Sequence, residues 1–576
     1  MPVQNAEVAD TLDRYADLLE IEGANQFRVR AYRNASRNIA SLPVSLADML
    51  REGKDLAELP GIGKDLAGKI TEIINRGHLS ELEEIEQRLP AGLVELTRIA
   101  GLGPKRAGIL YHNLGISSVT ELEKAAREGK LRDAPGFAAR LEQNILADIE
   151  RKAGVKSGKR LKLSVAQELA QPLLSYLKKV KGVKQVEAAG SYRRGMETVG
   201  DLDILVTHEG DSDVMERFVG YEDVERVISR GPTRSTVVLR FGLQVDLRAV
   251  PEESYGAALH YFTGSKAHNV AIRLMGVKKG LKINEYGVFK EEKRVAGRTE
   301  AEVYEQVGLP YIEPELRENR GEIEAAGEGK LPRLIELKDI CGDLHCHTKT
   351  TDGRASLEEM ADAARGRGYA YLAVTDHSKR LAMTRGLDEK RLAEQMKEID
   401  RLNAGRRGFT VLKAIEVDIL EDGSLDLPPG ALKGLDLVVC SVHHKFNLSR
   451  EEQTERIVRA IQSCPTLTIL GHPSGRLIPE RKAYDIDMEK IMEAARDCGC
   501  VIELNAQPER LDLTDIDCKM ARDMGVRVAI SSDAHSTNDL DFMKFGVTQA
   551  RRGWLQAGDV INTLGLAELK KLQPKK

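Results

Sequence analysis

The stretch Gly190-Ser-Tyr-Arg-Arg-Gly-Met-Glu-Thr-Val-Gly-Asp-Leu-Asp-Ile-Leu-Val206 joins a turn of small and basic residues to a strand that begins with two acids. Side chains two positions apart on a strand share a face, so Asp201 and Asp203 point the same way while Leu202 points into packing. Two adjacent carboxylates repel each other unless a cation lies between them, and Mg²⁺, bound by few carboxylates and by substrate phosphates, suits this pair. The turn offers backbone N–H groups, a hydroxyl and two guanidinium groups, which suit a triphosphate.

A third carboxylate follows in residues 237–248, where alternating apolar and polar residues around a central glycine predict a hairpin. Asp246 lies on the second strand of this hairpin and can face Asp201 and Asp203. Three carboxylates that hold two metal ions in line with a phosphoryl group form a two-metal site for phosphoryl transfer. Solvated acids on an exposed strand are the alternative for the Asp-x-Asp pair taken alone.

The Gly-Ser turn, the Arg pair and the Asp-x-Asp strand at this spacing resemble the nucleotidyltransferase signature of family X DNA polymerases, the DNA polymerase beta family. The resemblance implies a palm domain that uses Mg²⁺ and binds the nucleotide triphosphate with Gly190, Ser191 and Arg194. Gln244 departs from the family's animal member, which has Arg two residues before the third Asp. This departure bears on how Asp246 is oriented.

A second motif, Tyr261-Phe-Thr-Gly-Ser-Lys-Ala-His-Asn269, resembles the family's nucleotide pocket. The resemblance implies an aromatic pair beneath the sugar that excludes a 2′-hydroxyl, an amide at the base edge and a guanidinium at the template strand. The residues of this predicted pocket are Tyr261, Phe262, Gly264, Asn269 and Arg273. Lys266 stands where the animal enzyme has Asp, and core packing is the alternative for the aromatic pair.

Two stretches, 59–70 and 99–107, place Gly-x-Gly between an apolar residue and a helix, a pattern typical of a helix-hairpin-helix. The glycines let the backbone turn tightly near a phosphate, and the second helix supplies N–H groups and its positive dipole end. A third, degraded copy falls at 134–138. Two good copies favour sequence-independent binding of the DNA backbone over purely structural turns. The glycines predicted to contact DNA are Gly61, Gly63, Gly101 and Gly103.

The family resemblance extends to the helix that follows the first hairpin. A lysine on this helix can act in the family as a Schiff-base nucleophile on an abasic sugar, and the matching residue is Lys69, with Tyr32 at a neighbouring family position. Lys69 shares a polar stripe with Glu72 and Arg76, which favours an ordinary surface lysine. Lyase activity through Lys69 is the alternative to that simpler interpretation.

After residue 340, seven apolar β-type runs alternate with helical patterns, and metal-capable residues close the runs. Active-site residues lie at the carboxyl ends of the strands in a βα barrel. Seven of the twelve histidines fall in these runs, a clustering that scattered structural histidines would not produce. The predicted ligands are His345, His347, Asp352, His377, Glu416, His443, His472, Asp533 and His535. His444 faces away from His443 on a strand, so only one of these two can bind.

Nine nitrogen and oxygen ligands suffice for two or three borderline ions such as Mn²⁺ or Zn²⁺, and a metal-bound hydroxide can attack a phosphodiester. Cys346, on the opposite face between two histidines, is predicted to pack rather than to bind. The whole pattern resembles the polymerase-and-histidinol-phosphatase (PHP) domain, which is joined to family X polymerases in bacteria. The resemblance implies 3′–5′ exonuclease activity, with abasic-site endonuclease or 3′-phosphatase activity as further alternatives.

A length of 576 residues predicts several domains. We predict a multidomain chain with an all-α helix-hairpin-helix DNA-binding region, an α+β nucleotidyltransferase palm and a C-terminal distorted (β/α)7 PHP barrel. The predicted boundaries are 1–90 for the N-terminal helical domain with the first hairpin, 91–150 for the second hairpin, 151–252 for the palm, 253–318 for a nucleotide-selection subdomain, 319–334 for a linker and 335–576 for the PHP domain. Glycines within the basic segment 151–160 predict a hinge, and the Glu- and Gly-rich composition after residue 315 predicts the linker.

The composition is that of an ordinary globular protein, and a net charge of −4 does not exclude nucleic-acid binding, because a whole-chain sum can hide basic faces. The N-terminus shows an acidic amphipathic helix rather than a signal peptide, and no apolar run has the length of a membrane span. The seven cysteines all follow residue 340 without CxxC pairs, which favours a reducing, cytoplasmic setting. We expect a monomer.

Together these features predict a DNA-directed DNA polymerase that fills short gaps in base excision repair and trims 3′ ends with its PHP domain. Its predicted partners are gapped or nicked double-stranded DNA and dNTPs. A small-molecule phosphoesterase of the histidinol-phosphatase type fused to a DNA-binding scaffold is the alternative, but it leaves the palm unused. A catalytically silent DNA-binding scaffold would not explain three aligned aspartates and a set of metal ligands.

Overall fold

The computed structural model describes residues 5–40, 46–51, 53–59, 61–90, 92–97, 99, 102–137, 141–142, 145–146, 160–210, 212–381, 384–463 and 466–572. The chain divides into two compact units, Met1–Lys159 and Arg160–Lys576. Residues 151–159 of the predicted hinge at 151–160, Gly101 of the second hairpin and Ala138 of the degraded third copy lie outside the described residues. Among the described helices, none is long and apolar enough to cross a membrane.

The first unit is helical and packs around one apolar core. Its helices are α1 Asn5–Glu22, α2 Gln26–Ala40, α3 Leu46–Arg51, α4 Lys64–Arg76, α5 Ser80–Arg88, α6 Leu93–Thr97, α7 Pro104–Leu114 and α8 Val119–Arg127. α4 begins after Gly63 and is capped by Gly77. Gly77 has a φ of +76°, a conformation that glycine adopts without strain. α7 begins with Pro104, where the first turn needs no N–H donor, and ends at the left-handed Gly115.

The second unit opens with an α+β palm. Its elements are β1 Leu161–Lys162, α9 Leu163–Lys178, β2 Val183–Ala188, α10 Gly190–Arg193, β3 Thr198–Val199, β4 Asp201–His208, α11 Val214–Val219, β5 Val224–Ser229, β6 Arg234–Leu239 and β7 Gln244–Ala249. Five strands form a mixed sheet in the order β2-β4-β7-β6-β5, in which only β4 and β7 are parallel neighbours. Leu202, Ile204 and Val206 of β4 are buried with apolar residues of α9, as the alternation predicts.

A helical subdomain with a three-stranded antiparallel sheet follows the palm. Its elements are α12 Tyr255–Thr263, α13 Lys266–Lys278, β8 Leu281–Asn284, β9 Gly287–Lys290, β10 Lys293–Ala296, α14 Glu300–Val307 and α15 Glu322–Gly327. Its core extends into the predicted linker at 319–334, where Ile323 and Ala326 are buried. Glu322 Oε1 lies 2.6 Å from Nδ1 of the buried His268. This segment therefore differs from the unpacked linker that its composition predicts, because a short amphipathic helix and a buried polar contact hold it in place.

The rest of the second unit is a βα barrel. Its elements are β11 Gly342–Asp343, α16 Leu357–Gly366, β12 Tyr371–Val374, α17 Glu389–Ala404, β13 Thr410–Lys413, β14 Glu416–Asp418, α18 Pro429–Leu432, β15 Val438–Ser441, α19 Arg450–Ser463, β16 Thr468–Leu470, α20 Met488–Cys498, β17 Val501–Asn505, α21 Asp515–Asp523, β18 Val528–Ser531, α22 Met543–Arg552 and α23 Leu566–Leu569. The strands form two parallel ladders, β11-β12-β13 and β14-β15-β16-β17-β18. Parallel bridges from His377 to Glu416 and from Cys346 to Ala534 connect the ladders at both edges.

One strand predicted as continuous, at 411–418, is divided in two. Residues 414–415 interrupt it between β13, which pairs with β12, and β14, which pairs with β15. The chain thereby passes from one ladder to the other between Lys413 and Glu416. The interruption divides the barrel strands into two ladders.

Candidate functional site

Three palm carboxylates converge near the amino ends of two central strands of the mixed sheet. Asp201 and Asp203 lie on β4, and Asp246 lies on the parallel strand β7 directly opposite Asp203. Neighbouring strands lie about 5 Å apart and paired residues point to the same side, so the three carboxylates share one face. Asp201 is exposed, Asp203 is partly exposed and Asp246 is buried.

The negative charge of this cluster is only partly balanced by its surroundings. Burial raises the pKa of Asp203 to about 6, and repulsion from the other two acids adds to the effect, while Arg248 opposes it. Arg234 Nη2 lies 3.3 Å from both carboxylate oxygens of Asp246, and the Thr236 hydroxyl donates to the same carboxylate. A divalent cation would relieve the remaining repulsion, so the three acids fit the predicted metal site.

The Gly190 turn lies against these acids. β2 ends at Ala188, and Gly190 takes a left-handed conformation, with φ of +66°, that starts the single turn of α10. A Cβ at Gly190 would lie 3.4 Å from Asp203 Oδ2, so the turn begins in contact with the acid. Ser191 is partly exposed there. The turn therefore presents backbone donors beside the predicted metal site, where a phosphate can use them.

The two arginines of the turn have separate partners. Arg193 forms a two-pronged ion pair with the buried Glu300 of α14, with nitrogen–oxygen distances of 2.9 and 2.7 Å. Arg194 donates to Glu318 over 2.9 Å and to the main-chain carbonyl of Thr263 over 2.8 Å. Arg193 thus links the turn to the helical subdomain. Arg194, the predicted triphosphate ligand, is held in place by Glu318 and by the carbonyl of Thr263.

The predicted nucleotide pocket gathers on α12 and the start of α13, next to the acids. The Arg248 guanidinium lies 4.4 Å from the centre of the Phe262 ring, and Arg248 Nε lies 3.7 Å from Asp203 Oδ1. Asn269 Nδ2 donates to the main-chain carbonyl of Tyr261 over 2.6 Å. The Oδ1 atom of Asn269 is buried against Gly264 and makes no hydrogen bond to any described residue.

The other two residues of the predicted pocket have different surroundings. A Cβ at Gly264 would approach Asn269 Oδ1 to 2.5 Å, so glycine is required for the close packing of that amide. Arg273 is exposed on α13, as a contact with a template strand requires. Gly264 therefore shapes the pocket, and Arg273 stands at its outer side.

Sequence reasoning missed three palm side chains that surround the acids, namely Arg234, Thr236 and Arg248. In the antiparallel pairing of β6 with β7, Thr236 lies opposite Asp246 and Arg234 lies opposite Arg248. Arg248 could have been found, because it follows Asp246 by two residues and so shares its face. The other two depend on the register of the hairpin, which the local pattern leaves open.

In the first unit, the hairpin glycines precede exposed helix starts. Gly61 has a φ of +77°, Gly63 precedes α4, and Gly103 precedes α7. Lys64 and Lys105 are exposed at the first turns of these two helices. Backbone N–H groups and the positive helix ends therefore face outward with added positive charge, an arrangement that suits a phosphate backbone.

Lys69 is buried, with 9% of its surface exposed, and is not the ordinary surface lysine that its polar stripe predicts. Its Nζ lies 2.6 Å from Glu81 Oε1 and 3.2 Å from Asp65 Oδ1. Burial lowers the pKa of Lys69, but hydrogen bonds to these two carboxylates outweigh burial and leave the pKa raised. The neighbouring Tyr32 is also buried. Because a Schiff base needs the neutral amine, this pairing disfavours lyase chemistry at Lys69.

The nine predicted barrel ligands lie in one cluster at the carboxyl ends of the strands, where barrel active sites occur. Eight of them form three groups whose ligand atoms lie within 4.8 Å of one another. The groups are His347, Asp352, His377 and His535; His345, His347 and Asp533; and His377, Glu416 and His443. His472 joins them through Nε2, which lies 3.0 Å from Glu416 Oε1.

Two buried imidazole nitrogens of this cluster, His347 Nδ1 and His472 Nδ1, have no hydrogen-bond partner among the described residues. Buried polar atoms normally find partners, so these orphans indicate places for bound cations. His472 and Asp533 also have positive φ values of 26° and 49°, a backbone strain typical of functional sites. The imidazole and carboxylate donors fit borderline ions such as Mn²⁺ and Zn²⁺.

Burial and neighbouring charges shift the pKa values of two histidines of this cluster in opposite directions. Burial lowers the pKa of His347 to about 3, with His535 and His377 adding to the effect, which leaves a neutral imidazole to bind a cation. Burial alone would lower the pKa of His377, but Glu416 and Asp352 outweigh burial and raise it to about 10. Protons on such groups must leave when a divalent ion binds, so metal binding and protonation compete at this site.

Sequence reasoning missed two carboxylates that orient the imidazoles, Glu503 and Asp418. Glu503 Oε1 lies 2.7 Å from His345 Nδ1, and Glu503 Oε2 accepts a hydrogen bond of 2.6 Å from the main-chain N–H of His472. Asp418 Oδ1 lies 3.1 Å from His443 Nδ1. Both acids lie on strands of the barrel beside the ligands, and carboxylates on the second nitrogen of metal-binding imidazoles are common. This recurring arrangement of carboxylates beside metal-binding imidazoles was the signal by which Glu503 and Asp418 could have been found from the sequence.

Two residues that adjoin predicted ligands in the sequence, His444 and Cys346, do not belong to the cluster. His444 is exposed while His443 faces the other ligands, although both residues lie beyond the end of β15 and not on the strand that the sequence predicts. Cys346 is buried in the apolar core of the barrel and packs there, as predicted.

Family models match successive parts of the chain. A helix-hairpin-helix domain matches residues 3–79, a SAM-like helix-hairpin-helix tandem matches 93–151, a DNA polymerase beta palm matches 164–237, a DNA polymerase beta thumb matches 258–318 and a PHP domain matches 343–507. The predicted fold class, with helical hairpins, a palm and a PHP domain in this order, is confirmed.

Curated relatives extend the similarity. The chain is 37% identical over 568 residues to the DNA polymerase/3′-5′ exonuclease PolX of Bacillus subtilis (strain 168), an alignment that covers 98% of each chain. It is 31% identical to a probable phosphatase of Thermoanaerobacter sp. (strain X514), over 38% of this chain and 89% of that protein. It is 27% identical to DNA polymerase lambda of Rattus norvegicus, over 54% of this chain and 56% of that protein.

Proposed function

The chain belongs to the family X DNA polymerases that carry a C-terminal PHP domain, and from this premise we propose that it extends DNA primers at the palm and hydrolyses DNA 3′ ends at the barrel. The observation that carries the proposal is the presence of two separate clusters of metal-capable side chains. One is made of carboxylates on β4 and β7, and the other is made largely of imidazoles in the barrel.

At the palm, Asp201, Asp203 and Asp246 would hold Mg²⁺, which when bound supplies charge neutralisation for phosphoryl transfer. Asp246 would accept the proton of the primer 3′-hydroxyl. Its carboxylate is steadied for that role by hydrogen bonds from Thr236 and Arg234. The acids thus align the attacking oxygen, and fixed alignment is a large part of the rate advantage in such a reaction.

The incoming nucleotide would lie between the Gly190 turn and α12. N–H groups of the turn, with Ser191 and Arg194, would bind the triphosphate. Tyr261 and Phe262 would lie under the sugar and exclude a 2′-hydroxyl. Asn269 would lie at the base edge.

The helical first unit would hold duplex DNA by its phosphate backbone through the two hairpins. Backbone contacts of this kind are independent of sequence, which suits an enzyme that acts at gaps or nicks wherever they occur. We infer that short-gapped DNA of base excision repair is the substrate, and that the chain acts as a monomer in the cytoplasm. The choice of substrate rests on the family and on the exposed hairpin turns.

At the barrel, the nine ligands would hold two or three Mn²⁺ or Zn²⁺ ions, which when bound supply Lewis-acid activation of a phosphoester. Glu503 and Asp418 would orient His345 and His443 through their second ring nitrogens. The positive φ of Asp533 would keep its carboxylate turned towards His347, from which it lies 3.2 Å. The site would then release nucleotides from a mismatched or damaged 3′ end.

A second activity, removal of a 3′-phosphate, is favoured by one observation. The barrel is similar to a probable phosphatase over 89% of that protein's length. Hydrolysis of a phosphomonoester and of a phosphodiester needs the same activated phosphoryl group, so one set of ligands would serve both. Cleavage at abasic sites is a further alternative at the same ligands.

The proposal is tested with the full chain on two substrates, a one-nucleotide gapped duplex with dNTP and a 3′-mismatched primer. We expect extension of the first and 3′ release from the second. Glu416→Gln removes a carboxylate shared by the barrel ligands, and we expect 3′ release to fall by about 10²-fold or more, with extension retained. Asp422→Asn, at an exposed barrel carboxylate, is the matched control. A wild-type chain that does not extend the gap, or a Glu416→Gln chain that still releases 3′ nucleotides normally, would contradict the proposal.

A further inference from the structure

Helix α22 of the barrel packs directly on the palm turn that is proposed to bind the triphosphate. Gly195 closes this turn with a φ of +66° and lies so near α22 that a Cβ at residue 195 would collide with Thr548 Cγ2. Asp203 touches the start of the same turn at Gly190. The turn is therefore confined between a palm acid and a barrel helix, and close packing of this kind fixes position.

Arg552, in the last turn of α22, donates hydrogen bonds to the same turn. Its Nη1 lies 2.9 Å from the main-chain oxygen of Arg194 and 3.1 Å from Glu318 Oε1. Glu318 Oε1 also accepts a hydrogen bond of 2.9 Å from Arg194 Nε. Arg552 is 4% exposed, and hydrogen bonds shielded from water are electrostatically stronger. One barrel guanidinium thus holds both the backbone of Arg194 and the carboxylate that holds the Arg194 side chain.

A second set of contacts holds the chain just beyond the turn. Gln549 Nε2, also on α22, donates to Glu197 Oε1 over 2.7 Å. Arg476 pairs with both oxygens of Glu197, at 2.6 and 3.1 Å. Because Glu197 follows Gly195 by two residues, the barrel holds the palm segment on both sides of that glycine.

We propose that α22 is a positioning element for the polymerase reaction, in which Arg552 and Gln549 hold the phosphate-binding turn at the distance from Asp203 that the triphosphate requires. This inference rests on the proposed function of the palm. A nucleotide that must reach both the turn and the acids binds best when their separation is fixed in advance. A loosened turn would weaken nucleotide binding and leave the acids themselves intact.

We expect the folded protein to tolerate loss of Arg552, because the partners of this residue keep other cations. Glu318 retains Arg194, and Asp515, which binds Arg552 Nη2 over 2.6 Å, retains Arg320 at 2.9 Å. Arg552→Gln therefore removes the link to the turn without leaving a carboxylate alone. Arg552→Lys keeps the charge and some donors but lacks the fork of the guanidinium.

The matched control is Arg551, the preceding residue of α22. It binds Glu315 over 2.6 Å and the main-chain oxygen of Ile335 over 3.1 Å, and neither partner belongs to the turn. Arg551→Gln thus removes an equal charge from the same helix. A difference between the two Gln variants isolates the contact with the turn.

The experiment measures KM and kcat for dNTP on a one-nucleotide gapped duplex, the Kd for that DNA, and 3′ release from a mismatched primer, all in the full chain. We expect Arg552→Gln to raise KM for dNTP about tenfold, the effect of about one charge-assisted hydrogen bond, with kcat, Kd and 3′ release nearly unchanged. Arg552→Lys should fall between Arg552→Gln and the wild type. Arg551→Gln should match the wild type.

An unchanged KM in Arg552→Gln would overturn the inference. So would equal losses of extension and of 3′ release at an unchanged KM, because that is the mark of a merely structural role. If Arg552→Gln does not fold, Gln549→Leu provides the same comparison, with a smaller rise in KM expected and an unchanged KM again decisive. A wild-type chain that does not extend the primer would count against the palm function instead, so the two failures are distinguishable.

Discussion

Asp246 is the most enclosed of the three palm acids. It is buried, and its carboxylate is held by Arg234 and Thr236 on the neighbouring strand. Such a carboxylate is fixed before any substrate arrives, which makes it suited to accept a proton at a set position. Its replacement by an amide of nearly the same shape removes the negative charge and one of the two acceptor oxygens.

For Asp246→Asn, we expect the single-turnover rate of nucleotide addition to fall by about 10²- to 10³-fold, because one negative charge is lost where phosphoryl charge must be balanced. Extension of a one-nucleotide gap provides the measurement. Asp223→Asn, at a partly exposed palm acid that pairs with Arg240, is the control and should retain the full rate. A rate for Asp246→Asn close to that of the control would exclude Asp246 from the site.

Glu300 makes stability depend on pH through its pairs with Arg193 and Arg317. Burial alone would raise the pKa of Glu300, but the two arginines lower it to about 2. A carboxyl with a lowered pKa stabilises the fold above its unfolded pKa and loses that contribution as pH falls towards the folded value. Between pH 5 and pH 3 the free energy of unfolding should therefore fall by about 2 kcal/mol more for the wild type than for Glu300→Gln.

The measurement is denaturant unfolding followed by the fluorescence of Trp554. This residue is the single tryptophan of the chain and is buried in the same apolar cluster as residues of α14. Parallel pH profiles for the wild type and Glu300→Gln would show that the Glu300 carboxyl does not titrate below its ordinary range.

Local patterns predict which residues share a face but not which distant residues they meet. The alternation places Asp201 and Asp203 on one side of β4, because the side-chain period of a strand is two. The pairing of Arg193 with Glu300 spans 107 residues and depends on how α14 packs. The burial of Lys69 has the same origin, since Glu81 reaches it from another helix.

At the level of elements, the hairpin of β6 and β7 carries Asp246 and turns through a strained tip. Phe241 has a φ of +67° and is 80% exposed, and Gly242 has a φ of +81°. Two successive positive φ values suit a type I′ turn, for which Asn-Gly is the preferred pair. A bulky aromatic residue in that conformation is strained and gains little from burial.

Phe241→Asn should therefore raise the free energy of unfolding by about 1 kcal/mol, since asparagine adopts the left-handed conformation more readily. Gly242→Ala is the opposite change and should lower it by about 1 kcal/mol, because alanine is strained at a positive φ. Chemical denaturation of both variants beside the wild type gives the comparison. A lower free energy of unfolding in Phe241→Asn would show that the contacts of the Phe241 ring stabilise the fold by more than the strained backbone destabilises it.

Element types were predictable where one face of a segment is buried, and less so where tertiary pairing decides. The apolar runs of the barrel predict its strands, but the division of 411–418 into β13 and β14 follows from pairing with two different neighbours. The charged composition of residues 319–334 gave no indication that this segment is folded. Its glutamate at 322 is buried because His268 lies beside it, a contact between residues 54 apart in the chain.

At the level of the whole molecule, the two candidate sites differ in the atoms that they offer to metal ions. The palm presents carboxylate oxygens, which suit Mg²⁺, whereas the barrel adds six imidazoles, which suit Mn²⁺ or Zn²⁺. The order of the domains along the chain was predictable from their motifs. The contacts that join the palm to the barrel were not, because residues such as Arg194 and Arg552 lie 358 positions apart and carry no local pattern.

Removal and return of metal ions should separate the two activities. After chelation, we expect Mg²⁺ to restore gap extension, and Mn²⁺ or Zn²⁺ to be needed for full 3′ release. Titration of each ion against both reactions in one preparation provides the measurement. Identical ion profiles for extension and release would indicate one shared site.

The most direct test of two separate sites in one chain pairs Asp201→Ala with His345→Ala. Each variant is assayed for extension of a one-nucleotide gapped duplex and for 3′ release from a mismatched primer. The account predicts that Asp201→Ala abolishes extension and spares 3′ release, and that His345→Ala does the reverse. Loss of both reactions in either variant, with the fold intact, would contradict it.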